Sequence, residues 1–135
     1  MDFLEEVIFY ILSNDLSIKN IVSTRIYPLK APDNPTFPFI TFNRIAVVPD
    51  WTLEPTVKPN LTVVYLQIDI WAKKSDTFAT LKDLSLKVKN ALNLTIGTYD
   101  NVDIKCIFFN QERNEWDSEI EVFRAMQEYK CVLLE

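Results

Sequence analysis

The stretch from Leu61 to Ala72 constrains the fold of this chain more than any other. It alternates with a period of two. Val64, Leu66, Ile68, Ile70 and Ala72 fall on one side, and Val63, Tyr65, Gln67, Asp69 and Trp71 on the other. A helix would scatter both sets around its circumference, so the run reads as a strand. Its first side is wholly apolar and must meet a core. Its second side mixes aromatic and polar groups, which suits a partner surface better than a core. A strand buried on one side belongs in a mostly antiparallel sheet with helices on the apolar face.

The flanking segments agree. Residues 2–13 place Leu4, Val7, Ile8 and Ile11 at helical spacing, with Asp2, Glu5 and Glu6 in the first turn, where the helix dipole favours negative charge. Ser13-Asn14-Asp15 breaks that pattern and is placed to cap a second short turn through Ile18, Ile21 and Val22. Arg25 to Leu29 is a short extended piece limited by Pro28, and Ala31 to Thr36 is a loop by its prolines and Asx residues. Phe37 to Ile45 reads as a strand. Residues 48–60 carry Pro49, Pro55 and Pro59 and fit no regular element; a loop of that length is often an assembly arm. Ser75 is expected to cap a helix reaching residue 92, with Phe78, Leu81, Ser85, Val88 and Leu92 inward and Leu84 and Ala91 widening the stripe. Asn93 to Asn101 reads as turn. Val102–Gln111 and Ile120–Leu134 read as a closing strand pair joined around Asn114 to Asp117. A β-bulge is expected between Val122 and Phe123, where the apolar parity shifts. The expected fold is a single α+β domain over residues 1–135, a mostly antiparallel sheet of four to five strands with two main helices packed on it.

Composition narrows the function more by exclusion than by motif. Histidine is absent and glycine occurs once, at Gly97. That removes Ser-His-Asp and Cys-His catalysis, His-ligated metal sites, and the glycine-rich cradles that hold phosphates. Cys106 and Cys131 are too far apart in sequence for a C-x-x-C redox pair and are expected to be two buried thiols. No cofactor is expected. Net charge is −5, and Lys73-Lys74 is the only adjacent basic pair, which argues against gripping nucleic acid directly. No apolar run reaches about 18 residues, so no membrane-spanning helix is expected. Met1-Asp2-Phe3-Leu4-Glu5-Glu6 is acidic where a secretory signal carries Lys or Arg, so export by a signal peptide is not expected either.

Several short stretches, taken in order, resemble one family. A short N-terminal helix precedes Arg25-Ile26-Tyr27-Pro28 and Ala31-Pro32-Asp33. Phe37-Pro38-Phe39-Ile40-Thr41-Phe42 follows, then Val64-Tyr65-Leu66-Gln67-Ile68-Asp69-Ile70-Trp71-Ala72-Lys73, and a helix ending Val88-Lys89-Asn90-Ala91-Leu92. The succession resembles the tail completion or tail terminator proteins of long-tailed bacteriophages, also called head–tail joining or minor tail proteins. The resemblance implies a small α+β sandwich and a virion structural protein without catalysis. It further implies a ring, commonly of six subunits, assembled in the host cytoplasm at the head-proximal end of the tail. The partners implied are further copies of the chain, the tail tube protein and the head connector (stopper) protein. DNA would pass through without specific binding.

Two groups of residues are candidates for that work. Val63, Tyr65 and Trp71 on the polar-aromatic side of the 61–72 strand, with Trp51 and Leu53 in the proline-rich loop, are the expected assembly interface. Glu112, Glu115, Asp117, Glu119 and Glu121, relieved only by Arg113, read as an acidic hairpin, either a solvated surface tip or a candidate face towards the lumen or the connector. A negative channel wall repels phosphates and lets DNA slide. Other readings are a stopper or adaptor of the connector, a generic interaction module, or a glycosidase using this carboxylate cluster with Trp116 stacked on a sugar.

Overall fold

The computed structural model describes residues 3–50 and 61–134. Helices α1 (Leu4–Asn14) and α2 (Leu16–Val22) lead into strands β1 (Ile26–Pro28), β2 (Phe39–Asp50) and β3 (Leu61–Lys73). After a single 3-10 turn at Lys74–Asp76 come α3 (Thr77–Leu92), β4 (Gly97–Tyr99), β5 (Val102–Asp117) and β6 (Val122–Leu134). The strands form one sheet in the order β1-β2-β3-β6-β5-β4, antiparallel throughout except for the parallel β1–β2 pair. The α+β class matches expectation. Among the described residues the sheet has six strands and the helices number three, against the four to five and two expected.

All three helices lie on one face of the sheet. Val64, Leu66, Ile68, Ile70 and Ala72 of β3 are buried there as their period requires. They join Leu4, Val7, Ile8 and Leu12 of α1, Ile18 and Val22 of α2, and Leu81, Leu84, Val88 and Leu92 of α3 in one cluster. Fully burying a side chain of this size stabilises by about 1.5–3 kcal/mol, so this cluster dominates the fold energetically. Leu12 rather than Ile11 completes the α1 stripe, and Ile11 is half-buried. Asp15 does cap α2: its Oδ1 accepts from the Ser17 and Ile18 amides at 3.0 and 3.2 Å. Ser75 is not the cap of α3. The Asp76 carboxylate accepts from the Lys73 amide at 2.9 Å, and the Thr77 hydroxyl accepts from the Thr80 amide at 3.3 Å.

Three further expectations need correction. β2 does not stop at Ile45 but runs on to Asp50, with a bulge at Ile45 where the register to β3 slips. A strand that pairs on one side only tolerates a proline such as Pro49. The expected bulge at Val122/Phe123 is absent. β6 keeps unbroken register with β3, and the bulges fall in its other neighbour, β5, at Lys105 and Asn110. The parity shift in β6 arises because both its faces bury residues: Ala125, Gln127, Tyr129 and Cys131 towards the helices, Val122 and Met126 on the opposite side. Finally, Asn114 to Asp117 is strand, and the β5–β6 turn lies at residues 118–121. Cys106 and Cys131 are free thiols on opposite faces, since Cys106 pairs with Val132 and Ile107 with Cys131 in the β5–β6 register; Cys131 is buried as expected, but Cys106 is only half-buried.

Candidate assembly surface

The sheet face away from the helices carries Phe39 and Thr41 of β2, Val63 to Trp71 of β3 by alternation, Arg124 to Val132 of β6, and Cys106, Phe108, Gln111, Arg113 and Glu115 of β5. Its centre is a tight group around Trp71. The indole stacks on Phe39 with ring centroids 5.8 Å apart and planes at 14°, and its N–H donates to the Thr41 hydroxyl at 3.1 Å. On the other side the Arg124 guanidinium lies 4.6 Å from the ring centroid, a cation–π contact. Arg124 Nη2 donates to Asp69 Oδ2 at 3.0 Å, and Gln67 Nε2 donates to the same carboxylate at 2.9 Å. Asp69 is only 6% exposed. A carboxylate buried to that degree requires such partners, since removing a charge from water unpaired is costly. The register sets the group up, because β3 brings Trp71 opposite Arg124 and Asp69 opposite Met126.

The expected interface residues therefore differ in character. Trp71 is half-buried and bound on both faces. Val63 and Tyr65 are half-buried further along β3, towards the Leu61 end, where Tyr65 pairs with Lys130 and Val63 with Val132. Trp51 and Leu53, together with most of the proline-rich loop, lie outside the described residues. Asp69, Arg124 and Phe39 were not singled out in the sequence. Nothing local marks them, because the contacts join residues up to 55 positions apart.

The five carboxylates do not form one tip. Glu112 is exposed on the helix side of β5 and reaches the edge of a buried polar network. Tyr129 donates its hydroxyl to Gln127 Oε1 at 2.6 Å, and Gln127 Nε2 donates to Ser85 O at 2.8 Å and Glu112 Oε1 at 2.9 Å. Burial, with the Glu112 charge adding to it, pushes the Tyr129 hydroxyl well above the usual phenol range. Glu115 lies on the opposite face, across from Arg124. Asp117 ends β5 and accepts from the Glu119 and Ile120 amides at 3.0 and 3.4 Å, shaping the turn. Glu121 pairs with Lys74 at 3.6 Å. Glu115, Asp117 and Glu119 nonetheless share a cavity of about 770 Å³ with Trp71, Trp116 and Arg124. The structure thus joins three of the five acids to one of the expected interface aromatics. Trp116 itself packs on Phe123 at 4.4 Å, and Phe123 on Phe78 at 5.6 Å.

Together these elements make a small α+β sandwich whose outer sheet face holds half-buried aromatic and charged groups in fixed positions. The chain belongs to the family described as Tail completion protein gp17, which matches residues 6–134. It is a structural protein of a phage-type tail. Among solved structures it is similar to a chain of the "Virion of native gene transfer agent (GTA) particle", at 16% identity and a TM-score of 0.82, covering 98% of this chain and 95% of that one. That likeness shows the fold. No curated protein matches the chain.

Proposed function

We propose that the chain forms a ring, of six subunits, at the head-proximal end of the tail tube. There it terminates the tail and joins it to the head connector. The family match over nearly the whole chain carries this reading. The outer sheet face supports it, because aromatic and charged groups are held there in fixed positions facing away from the helices. Tyr65 and Val63 are the interface residues on that face, and Trp51 and Leu53 anchor on a neighbouring subunit or the connector. Association of two different surfaces, repeated head to tail, closes a ring when the rotation fits.

Glu115, Asp117 and Glu119 line the lumen or the connector rim, where like-charge repulsion keeps DNA from sticking. Replacing all three with Lys yields particles that assemble and eject DNA poorly; normal infectivity would return these acids to the role of a solvated turn. The assignment as a whole is tested with tails from a phage lacking the protein. Adding the purified chain restores head attachment, whereas a stopper or adaptor of the connector restores it only when added to heads.

A further inference from the structure

Both edges of the sheet are half covered. On one side β1 pairs with β2 only over Ile40 to Phe42 and then ends, with Leu29 donating its amide to the Phe42 carbonyl. Among the described residues, no strand pairs with the outer edge of β2 from Asn43 to Asp50. On the other side, β4 pairs with Val102 to Ile104, and the chain at Leu94 and Thr95 exchanges backbone hydrogen bonds with Ile107. The Phe109 amide donates to the Asn93 side chain. Beyond Asn110 the outer edge of β5 runs to Asp117 with no described strand beside it.

The two open edges differ in chemistry. That of β2 reads Ile45-Ala46-Val47-Val48, a β-prone apolar run with Ile45, Val47 and Val48 all about half exposed. An exposed apolar edge strand attracts further strands unless it has a partner. That of β5 carries Glu112, Arg113, Glu115 and Asp117, charges that discourage pairing with its own copy. Beside it lies a groove of about 330 Å³ between β5 and α3, lined by Phe109, Leu86, Lys82, Lys89, Ser85 and Glu112. Leu86 is exposed there. A strand added to β5 would lay alternate side chains into this groove. Val47 lies on the helix side of β2, opposite Val64 in register, which is the side the groove requires.

We infer that neighbouring subunits join by strand addition, the Asn43–Asp50 edge of one copy pairing antiparallel with the Asn110–Asp117 edge of the next, at the cost of one ladder hydrogen bond where Pro49 has no amide to donate. The inference rests on the ring reading and names its contact. Direction agrees: across β2-β3-β6-β5 each neighbour is antiparallel, so a copy repeated in the same orientation presents β2 antiparallel to β5. The stagger agrees as well. Asn43 and Gln111 lie at the same level of the sheet, and the two open stretches run from there towards opposite ends. Successive copies therefore shift by roughly six residues, ~20 Å, over four strand spacings of ~4.8 Å. That is a strand tilt of roughly 45°, at the upper end of the range in which closed barrels form. The offset also carries β1 of one copy, which covers Ile40 to Phe42, beyond the Asp117 end of its neighbour's β5 and away from the segment at residues 93–95.

Amide hydrogen exchange on the protein, alone and assembled on tails, tests this. Residues 43–50 and 110–117 should gain at least tenfold protection on assembly. Val47→Lys should abolish assembly with an unchanged melting temperature, while Val47→Thr assembles. Rings in which both stretches exchange as fast as in the free chain overturn the strand pairing and leave the ring standing. Protection of 43–50 alone, in a two-fold dimer, overturns it in favour of β2 pairing with itself. A chain that stays monomeric both in solution and on tails overturns the ring and the pairing together.

Discussion

Replacing Trp71 with Ala separates folding from assembly on the outer sheet face. The substitution removes a stacked ring pair with Phe39, the indole hydrogen bond to the buried Thr41, and the ring beneath Arg124. Each of the first two is worth about 1 kcal/mol and the third about 0.5–1 kcal/mol, with the transfer of a half-buried indole added. Full truncation of a buried Trp costs about 3–5 kcal/mol, so a half-buried one with these contacts should cost about 3 kcal/mol. With an unfolding entropy of ~2.1 cal/mol/K per residue, that is a fall in Tm of roughly 10 °C. Tyr65→Ala, on the same face but away from this group, should cost about 1 kcal/mol and roughly 3–4 °C. Thermal unfolding of the free chain by circular dichroism reads both. A Tm change for Trp71→Ala no larger than that for Tyr65→Ala would refute the reasoning, because the stack and the cation–π contact would then be idle. It also follows that Tyr65→Asp is the cleaner probe of assembly, since Trp71→Asp weakens the subunit before it reaches a partner.

Other substitutions and conditions test different parts of the account. Gln127→Leu leaves the buried Tyr129 hydroxyl without its acceptor and should cost about 1–3 kcal/mol in urea unfolding, with Gln127→Ala no better. Burial pushes the Cys131 thiol up to about 12, with Cys106 and then Glu5 adding to it. Below pH 9 the thiol is neutral in both states. Above it the unfolded thiol ionises and the folded one does not, so stability should fall on the order of 1 kcal/mol per pH unit from pH 9 upward. For the same reason a maleimide at pH 8 should label Cys106 in the native chain and reach Cys131 only through unfolding, which mass spectrometry of the labelled peptides resolves.

The core was legible because it obeys short periods. β3 declares both its faces by alternation, and α1 and α3 declare most of their stripes at helical spacing, with Leu12 in place of Ile11 and Phe78 exposed rather than inward. What was hidden lay at the sheet edges. Pro49 reads as a breaker, yet it stands in a strand whose outer side has no described neighbour and where a missing amide costs little. Glu112 to Asp117 reads as a charged hairpin tip, yet it continues β5, because charges are tolerated along an open edge. β4 is three residues long and too short to carry a period. The Trp71 group depends on the pairing of β3 with β2 and β6, which no local pattern specifies. Glu112 looked like a free acid because its partner Gln127 lies on another strand.

Imaging of the assembled particle by electron cryo-microscopy tests the central claim most directly, with the chain located by fitting its helices and six-stranded sheet into density. The account predicts a closed ring of the chain between the last tube layer and the head connector. The chain found at the distal tip, within the tube wall, or as isolated copies around the connector would contradict it.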